Sequence, residues 1–257
     1  MDNIINNIIR LKISVFAILS VIGLYFLWDP KYLLITLIAY FFYAVIGHDI
    51  ALHRYFTHRS FTCSKPTEMF LFLCGMLANM GSTIHFVLGH RRHHKYTETP
   101  YDNLQSANHP FLTWLGYGII KATYIPEPMT APELTNSKFY VFMNKYHYVL
   151  YYSFVAVCLL LSVKLSFYAI ILPVCLSLQL GSCIDVVVHK VGYRNFNTND
   201  NTTNNSYINA LALFSGIGLH NNHHARPWLY THKVKSNEID VSAWLIKHVF
   251  ATSVVDK

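Results

Sequence analysis

Hydrophobic and polar positions along the chain fall into long apolar runs broken by short polar stretches. Residues 11–28 and 32–47 form one apolar pair around Trp28-Asp29-Pro30-Lys31, and residues 148–164 and 166–184 form a second around Lys164. Each run approaches the roughly 17–25 residues that a helix needs to cross a bilayer. The pattern predicts an all-α integral membrane fold in which four transmembrane helices form two hairpins, each returning to the side it left. A fifth apolar stretch, 69–88, contains Gly75, Asn79, Gly81, Ser82 and His85. A crossing there would put the polar segments flanking it on opposite sides of the membrane, so it is expected to be interfacial or partly inserted. The asparagine-rich stretch 195–209 reads as a polar loop, and residues 1–257 as a single domain.

Composition supports a membrane solvent, with 53% hydrophobic and 13% charged residues. The first run follows Arg10 and Lys12, as a secretory signal would. No small-residue cleavage site precedes Asp29 and a second run follows at once, so the helix is expected to be retained. The net charge of +7 comes from basic residues at the N-terminus, in the central segment (Arg54, Arg59, Lys65, Arg91, Arg92, Lys95, Lys121) and in the tail (Arg194, Arg226). By the positive-inside rule these polar segments and both termini face the cytoplasm. The sequons at Asn201 and Asn204 would then stay unglycosylated. The same charge suits anionic lipid or acyl-carrier head groups. No soluble basic domain is present to bind nucleic acid. Five scattered cysteines without paired spacing read as small buried hydrophobes.

The chemistry lies in the histidines. His53 and His58 form one cluster, His90, His93 and His94 a second, and His220, His223 and His224 a third. On a helix the spacing i, i+3, i+4 collects the second and third clusters on one face each, and two such faces can close on metal. Packed without metal, these rings would leave buried polar nitrogens costing roughly 1–3 kcal/mol each. His48, His85, His109, His147, His232 and His248 read instead as ordinary surface or hydrogen-bonded residues. The clusters alone exceed the four ligands that saturate a tetrahedral ion, and His189 adds another candidate, so two metals are expected. Asp185 lies four residues before His189, where it could ligate a metal, hold a metal-bound water or orient an imidazole. Histidine spacing alone does not choose among iron, manganese, copper and zinc.

The order HRYFTHRSF, GHRRHHKYTET, Asp185 to His189 followed by Gly192-Tyr193-Arg194, and HNNHHARPW resembles the membrane-bound acyl desaturases, the histidine-box group that includes stearoyl-CoA desaturase and bacterial relatives. The resemblance runs from about residue 20 to about residue 230. It implies four transmembrane helices capped by a cytoplasmic helical region holding two irons, with His53, His58, His90, His93, His94, His189, His220, His223 and His224 as ligands. The implied reaction is O2-dependent removal of two hydrogens from an acyl chain carried by CoA, acyl carrier protein or lipid. No HPGG haem-binding signature is present, so electrons are expected from a separate ferredoxin or cytochrome b5 type donor. Met80, Phe86 and Gly181 align with the family's substrate tunnel, and Arg91, Arg92 and Lys121 could meet a phosphate-bearing head group. A hydroxylase, acetylenase or ketolase on the same scaffold is the nearest alternative, and a histidine-rich metal-binding membrane protein a distant one. The chain departs from the family in having Asp185 where Asn is common. It also has Gly216-Ile217-Gly218-Leu219 before His220, where a Glu-containing run is common, and lacks the Arg-Asn pattern of many relatives at Asn204-Asn205-Ser206-Tyr207.

Overall fold

The structure, a computed structural model, describes residues 2–102, 110–114, 127 and 129–256; His109 and Lys121 lie outside the described residues. Helix α1 (Asp2–Phe26) is followed by a short 3-10 turn (Pro30–Tyr32) and α2 (Leu33–Tyr40). Asp29 caps the turn by accepting the Lys31 N–H, and Pro30 supplies a helix-ready φ at its first position. Helix α2 continues without a break as a π-helical stretch, Phe41–Thr57, nearly all of it buried. Strand β1 (Phe61–Cys63), α3 (Lys65–Leu77), α4 (Thr83–Tyr96), α5 (Pro110–Trp114) and α6 (Pro132–Thr135) follow. Helix α7 (Lys138–Leu161) stops at Ser162. Helix α8 (Val163–Ser166), a π-helical turn (Phe167–Ile171) and α9 (Leu172–Val187) then form one long rod. Short helices α10 (Ser206–Leu211), α11 (His220–Ala225) and α12 (Val241–Leu245), the last extended by a π-helical turn (Ile246–Phe250), precede strand β2 (Ala251–Val254).

Among the described residues two continuous helices are long and apolar enough to cross a membrane, Pro30–Thr57 and Val163–Val187, while the apolar part of α1, Leu11–Phe26, is shorter. Large apolar side chains also point outward from α1 and α7, including Ile18, Val21, Val149 and Val157, each more than half exposed, and Leu160 at 87%. Apolar surface of this extent fits lipid better than water. Inside, Ile13 and Phe16 of α1 and Tyr151 and Val155 of α7 pack against Phe167, Tyr168, Ile171 and Leu178 of the last rod. The turns after α1 and α7 meet at one end: Lys164 Nζ lies 2.8 Å from Asp29 Oδ2, and the Asp29 N–H donates to Tyr168 Oη at 2.6 Å.

The stretch 69–88 is two helices, not one. Asn79 and Gly81 adopt left-handed backbone (φ 55° and 112°), and the Ser82 hydroxyl caps α4. A polar Asn-Met-Gly-Ser sequence therefore turns the chain and starts α4, which carries the second histidine cluster. The expectation of a purely helical chain also needs amendment. β1 pairs antiparallel with β2, Phe61 opposite Val254, which ties the C-terminal segment to the residues just after His58. The stretch 195–209 is a polar loop up to Asn205 and helix α10 beyond it, and it is solvated only in part. Asn204, Asn205 and Asn209 are buried, because their amides are satisfied internally: Asn204 exchanges hydrogen bonds with Asn222, and Asn205 caps α10.

Candidate metal centre

The π-helical stretch carries His53 on its inner side and ends on His58; α4 carries His90, His93 and His94, and α11 carries His220, His223 and His224. On a helix, positions i and i+4 lie about 40° apart while i+3 lies about 60° to the other side. Each three-histidine box therefore straddles two points rather than presenting one face to one metal. His90 and His94 join His53, His58 and His223, whereas His93 joins His189, His220 and His224. Within each group the donor atoms all lie within 4.8 Å of one another. The groups adjoin, with the His94 and His224 rings 4.3 Å apart.

The donor set fits a pair of cations. Nε2 of His223 is 2.9 Å from Nε2 of both His53 and His94, and His94 Nε2 is 3.1 Å from His90 Nε2. Nδ1 of His53 faces Asp49 Oδ1 at 3.2 Å, so its proton sits there and its Nε2 presents a lone pair. One proton on His223 Nε2 cannot satisfy all the lone pairs converging on it. In the second group Nε2 of His93, His189, His220 and His224 is buried without a partner among the described residues. Three of these rings are held from behind: His93 Nδ1 is 3.1 Å from Asp102, His189 Nδ1 3.1 Å from Glu98 Oε1, and His224 Nδ1 2.9 Å from Asp200 Oδ2. A carboxylate behind an imidazole whose other nitrogen points at a common centre is the arrangement metal-ligating histidines adopt.

Electrostatics keep most of these rings neutral, as ligands must be. Burial, reinforced by neighbouring histidines, lowers His90, His94, His220 and His223 well below the usual imidazole range. Burial likewise brings His58 and His224 down to about 3. His93 departs from the rest. Burial pulls it down, but Asp102, helped by Asp185 and Asp200, holds it above its ordinary value. Burial would raise the Asp200 carboxyl, yet its bonds to His224, Thr198 and Thr202 carry it far below the carboxylate range.

The carboxylates Asp49, Glu98, Asp102 and Asp200 escaped sequence reasoning: Asp49 precedes His53 by four residues, Glu98 lies at the end of the second box, and Asp102 and Asp200 lie outside the boxes. Glu98 sits at φ 61°, an uncommon backbone for a non-glycine residue, and reaches both His189 and Asn201. Helix α9, which carries Asp185, ends at Val187, and the following turn swings His189 into the four-histidine group. Among the described residues no hydrogen bond reaches the Asp185 carboxylate, which acts on His93 through space. His232, expected to be ordinary, is buried with its ring 4.5 Å from that of His223.

Met80 and Gly181 face each other, with a Cβ added at Gly181 falling 3.6 Å from Met80 Cε and 3.9 Å from His48 Cε1. Phe86 stacks on His90 at 5.7 Å and meets His48 edge-on at 5.6 Å. These apolar residues thus run directly up to the histidines. Arg91 donates to Thr57 O, Thr130 O and Glu133, and so ties the end of the π-helical stretch to α6. Arg92 donates to Tyr101 O at 2.7 Å.

Comparison with known proteins agrees with this geometry. The profile of the family described as fatty acid desaturase matches residues 14–239. The chain is 31% identical to an acyl-CoA C20 Delta5-desaturase of Anemone leveillei over 211 residues, 79% of this chain and 66% of that protein. It is 28% identical to the sn-1 stearoyl-lipid 9-desaturase of Anabaena variabilis over 248 residues, 95% of this chain and 88% of that protein. It is 30% identical to the sn-2 palmitoyl-lipid 9-desaturase of Nostoc sp. (strain 36), over 87% of this chain and 79% of that protein. These relatives are named as desaturases, which are oxidoreductases. With its histidine boxes folded into two adjoining clusters at the end of an apolar helical bundle, the chain belongs to the fatty acid desaturase family.

Proposed function

We propose that the protein is an O2-dependent fatty acyl desaturase that introduces a double bond into an acyl chain carried by CoA, acyl carrier protein or lipid. The observation that supports this most is the sorting of nine histidines into a group of five and a group of four, with carboxylates behind four of them. In this reading His53, His58, His90, His94 and His223 hold one iron, and His93, His189, His220 and His224 hold the other. Asp185 completes the four-histidine site, as a ligand or through a water. Iron, when bound, supplies the oxidant that breaking an unactivated C–H bond demands and that no side chain can provide. The chain's own residues position the substrate: Met80, Phe86 and Gly181 fix an acyl segment beside His90, and burial of the histidines excludes bulk water. Electrons come from a separate ferredoxin or cytochrome b5 type protein. Four helices (α1, α2 with its π-helical extension, α7 and the α8–α9 rod) span the membrane, with the histidine end and both termini in the cytoplasm.

Two measurements test the proposal together. Protein from iron-supplemented expression should carry two irons per chain, and expression in a host lacking its own desaturases should yield a new unsaturated fatty acid. A saturating value near one metal per chain, or hydroxylated fatty acid as the sole product, would overturn it.

A further inference from the structure

His232 belongs to none of the histidine boxes, yet its hydrogen bonds fix it beside one candidate ligand. Its backbone N–H donates to Asp240 Oδ2 at 2.7 Å, and its Nδ1 lies 3.1 Å from the carbonyl of Gly216. Gly216 can approach so closely only because it has no side chain: at φ 93° a Cβ there would fall 2.4 Å from Asp240 Cγ and 2.8 Å from an Arg54 nitrogen.

A carbonyl only accepts, so Nδ1 of His232 carries the proton. Arg54 NH2, 3.3 Å away, does not compete, because its two hydrogens are taken by Asp49 Oδ2 at 3.1 Å and Ser215 O at 2.8 Å. Nε2 of His232 therefore presents a lone pair, and it is buried with no partner among the described residues. His223 is its complement. Its Nε2 points at the rings of His53 and His94, so when that nitrogen holds a cation its proton resides on Nδ1, which is likewise buried with no partner among the described residues. An acceptor lacking a donor and a donor lacking an acceptor thus sit on two rings 4.5 Å apart and tilted by 40°.

We propose that His232 is a positioning residue for the five-histidine site: its Nε2 accepts the Nδ1 proton of His223 and sets that ligand's tautomer, orientation and basicity. A neutral imidazole does here what carboxylates do for His53, His93, His189 and His224. The same network holds His53, because Arg54 bridges Asp240, which anchors His232, to Asp49, which faces His53. Two ligands of one site are thereby positioned through one buried arginine.

The inference rests on iron occupying the five-histidine cluster. Its test compares wild type with His232→Leu and His232→Gln, all loaded with Fe(II) and read by iron retention against a chelator and by Mössbauer spectra of each iron. Gln can still donate to Gly216 O and accept from His223, whereas Leu can do neither. His232→Leu should weaken retention of one iron by about 10–100-fold and leave the other unchanged. His232→Gln should keep both irons with wild-type nitrogen coordination and shift the spectrum of one. Wild type holding fewer than two irons would defeat the functional reading itself. Two irons in wild type, with His232→Leu unchanged in retention and spectrum, or with His232→Gln losing as much as Leu, would overturn the inference alone. Loss of a coordinating nitrogen in His232→Gln would make His232 a ligand and overturn it as well. If the Leu variant does not fold, the Gln variant decides: a shift confined to one iron supports the role, and an unchanged spectrum sinks it.

Discussion

Among the described residues, one carboxylate stands behind the five-histidine group and three behind the group of four. Asp49, which faces His53, is already paired with Arg54, while His223 looks toward the neutral ring of His232. Asp102, Glu98 and Asp200 back His93, His189 and His224, and Asp185 adds its field at His93. Donors of one kind are therefore embedded in different charge. Negative charge near a cation raises the basicity of its ligands and favours its more oxidised state. Two irons held here would therefore be inequivalent, the four-histidine position binding more tightly and stabilising the higher charge.

Removing ligands should give the largest effect and asks whether the groups are two sites at all. His220→Ala and His223→Ala each delete one candidate donor, from the four- and five-histidine groups respectively. Each should abolish product formation, with iron falling from two per chain toward one, as read by elemental analysis and fatty-acid profiling. The His220 variant should leave the five-histidine iron in place, and the His223 variant the four-histidine iron. Retained activity in either variant would remove that residue from the ligand set.

The sequence disclosed the donors more fully than their grouping. His90, His93 and His94 advertise a helical face by spacing, but the 100° between His93 and His94 sends them to different groups, which only the position of α11 opposite α4 determines. The apolar runs 32–47 and 166–184 located the two helices that, among the described residues, are long and apolar enough to cross a membrane, since composition and length suffice for that. The backing carboxylates were not legible, because Glu98 and Asp200 reach His189 and His224 through loop conformations with no periodic signature. His232 looked ordinary for the same reason: its role comes from the Arg54–Asp240 network closing over 186 residues of chain. The asparagines of 195–209 were misleading in the opposite sense, since Asn204, Asn205 and Asn209 are buried, with Asn204 bonded to Asn222 of the third box.

Next in size is Asp185. A carboxylate can ligate a metal or make charge-assisted bonds, whereas an amide offers neutral ones. Asp185→Asn should keep both irons and measurable activity with an altered rate or product ratio, while Asp185→Leu should lose much of the four-histidine iron. Iron content, turnover and product distribution, measured in parallel, check this. A Leu variant identical to wild type in all three would remove Asp185 from the site and leave the four-histidine group with only its three backing carboxylates.

Substituting a backing carboxylate should cost less than removing a ligand. Asp200→Asn keeps the shape and a hydrogen bond to His224 but removes the charge, and the retention of the four-histidine iron should fall by about 10–100-fold with the five-histidine iron unaffected. Chelator competition resolved by Mössbauer spectroscopy distinguishes the two irons. Equal weakening of both would break the comparison, since it would show the carboxylates acting on a common pair rather than on one position.

The smallest effect tests whether that charge is itself held in place. Asp200 Oδ1 accepts from the hydroxyls of Thr198 and Thr202, at 2.7 and 2.5 Å, and from the Thr202 N–H at 3.0 Å. Thr202 is fully buried, so Thr202→Val keeps the volume and deletes a single donor of three. A lost neutral hydrogen bond is worth about 0.5–1.5 kcal/mol, and part of that falls on folding rather than on the metal. Retention of the four-histidine iron should therefore fall by no more than about tenfold, and in the double variant with Asp200→Asn the effect should shrink, because the hydroxyl then serves no anion. Full additivity of the two substitutions would mean that Thr202 acts on the site by another route, and that the charge at Asp200 needs no support from the loop around it.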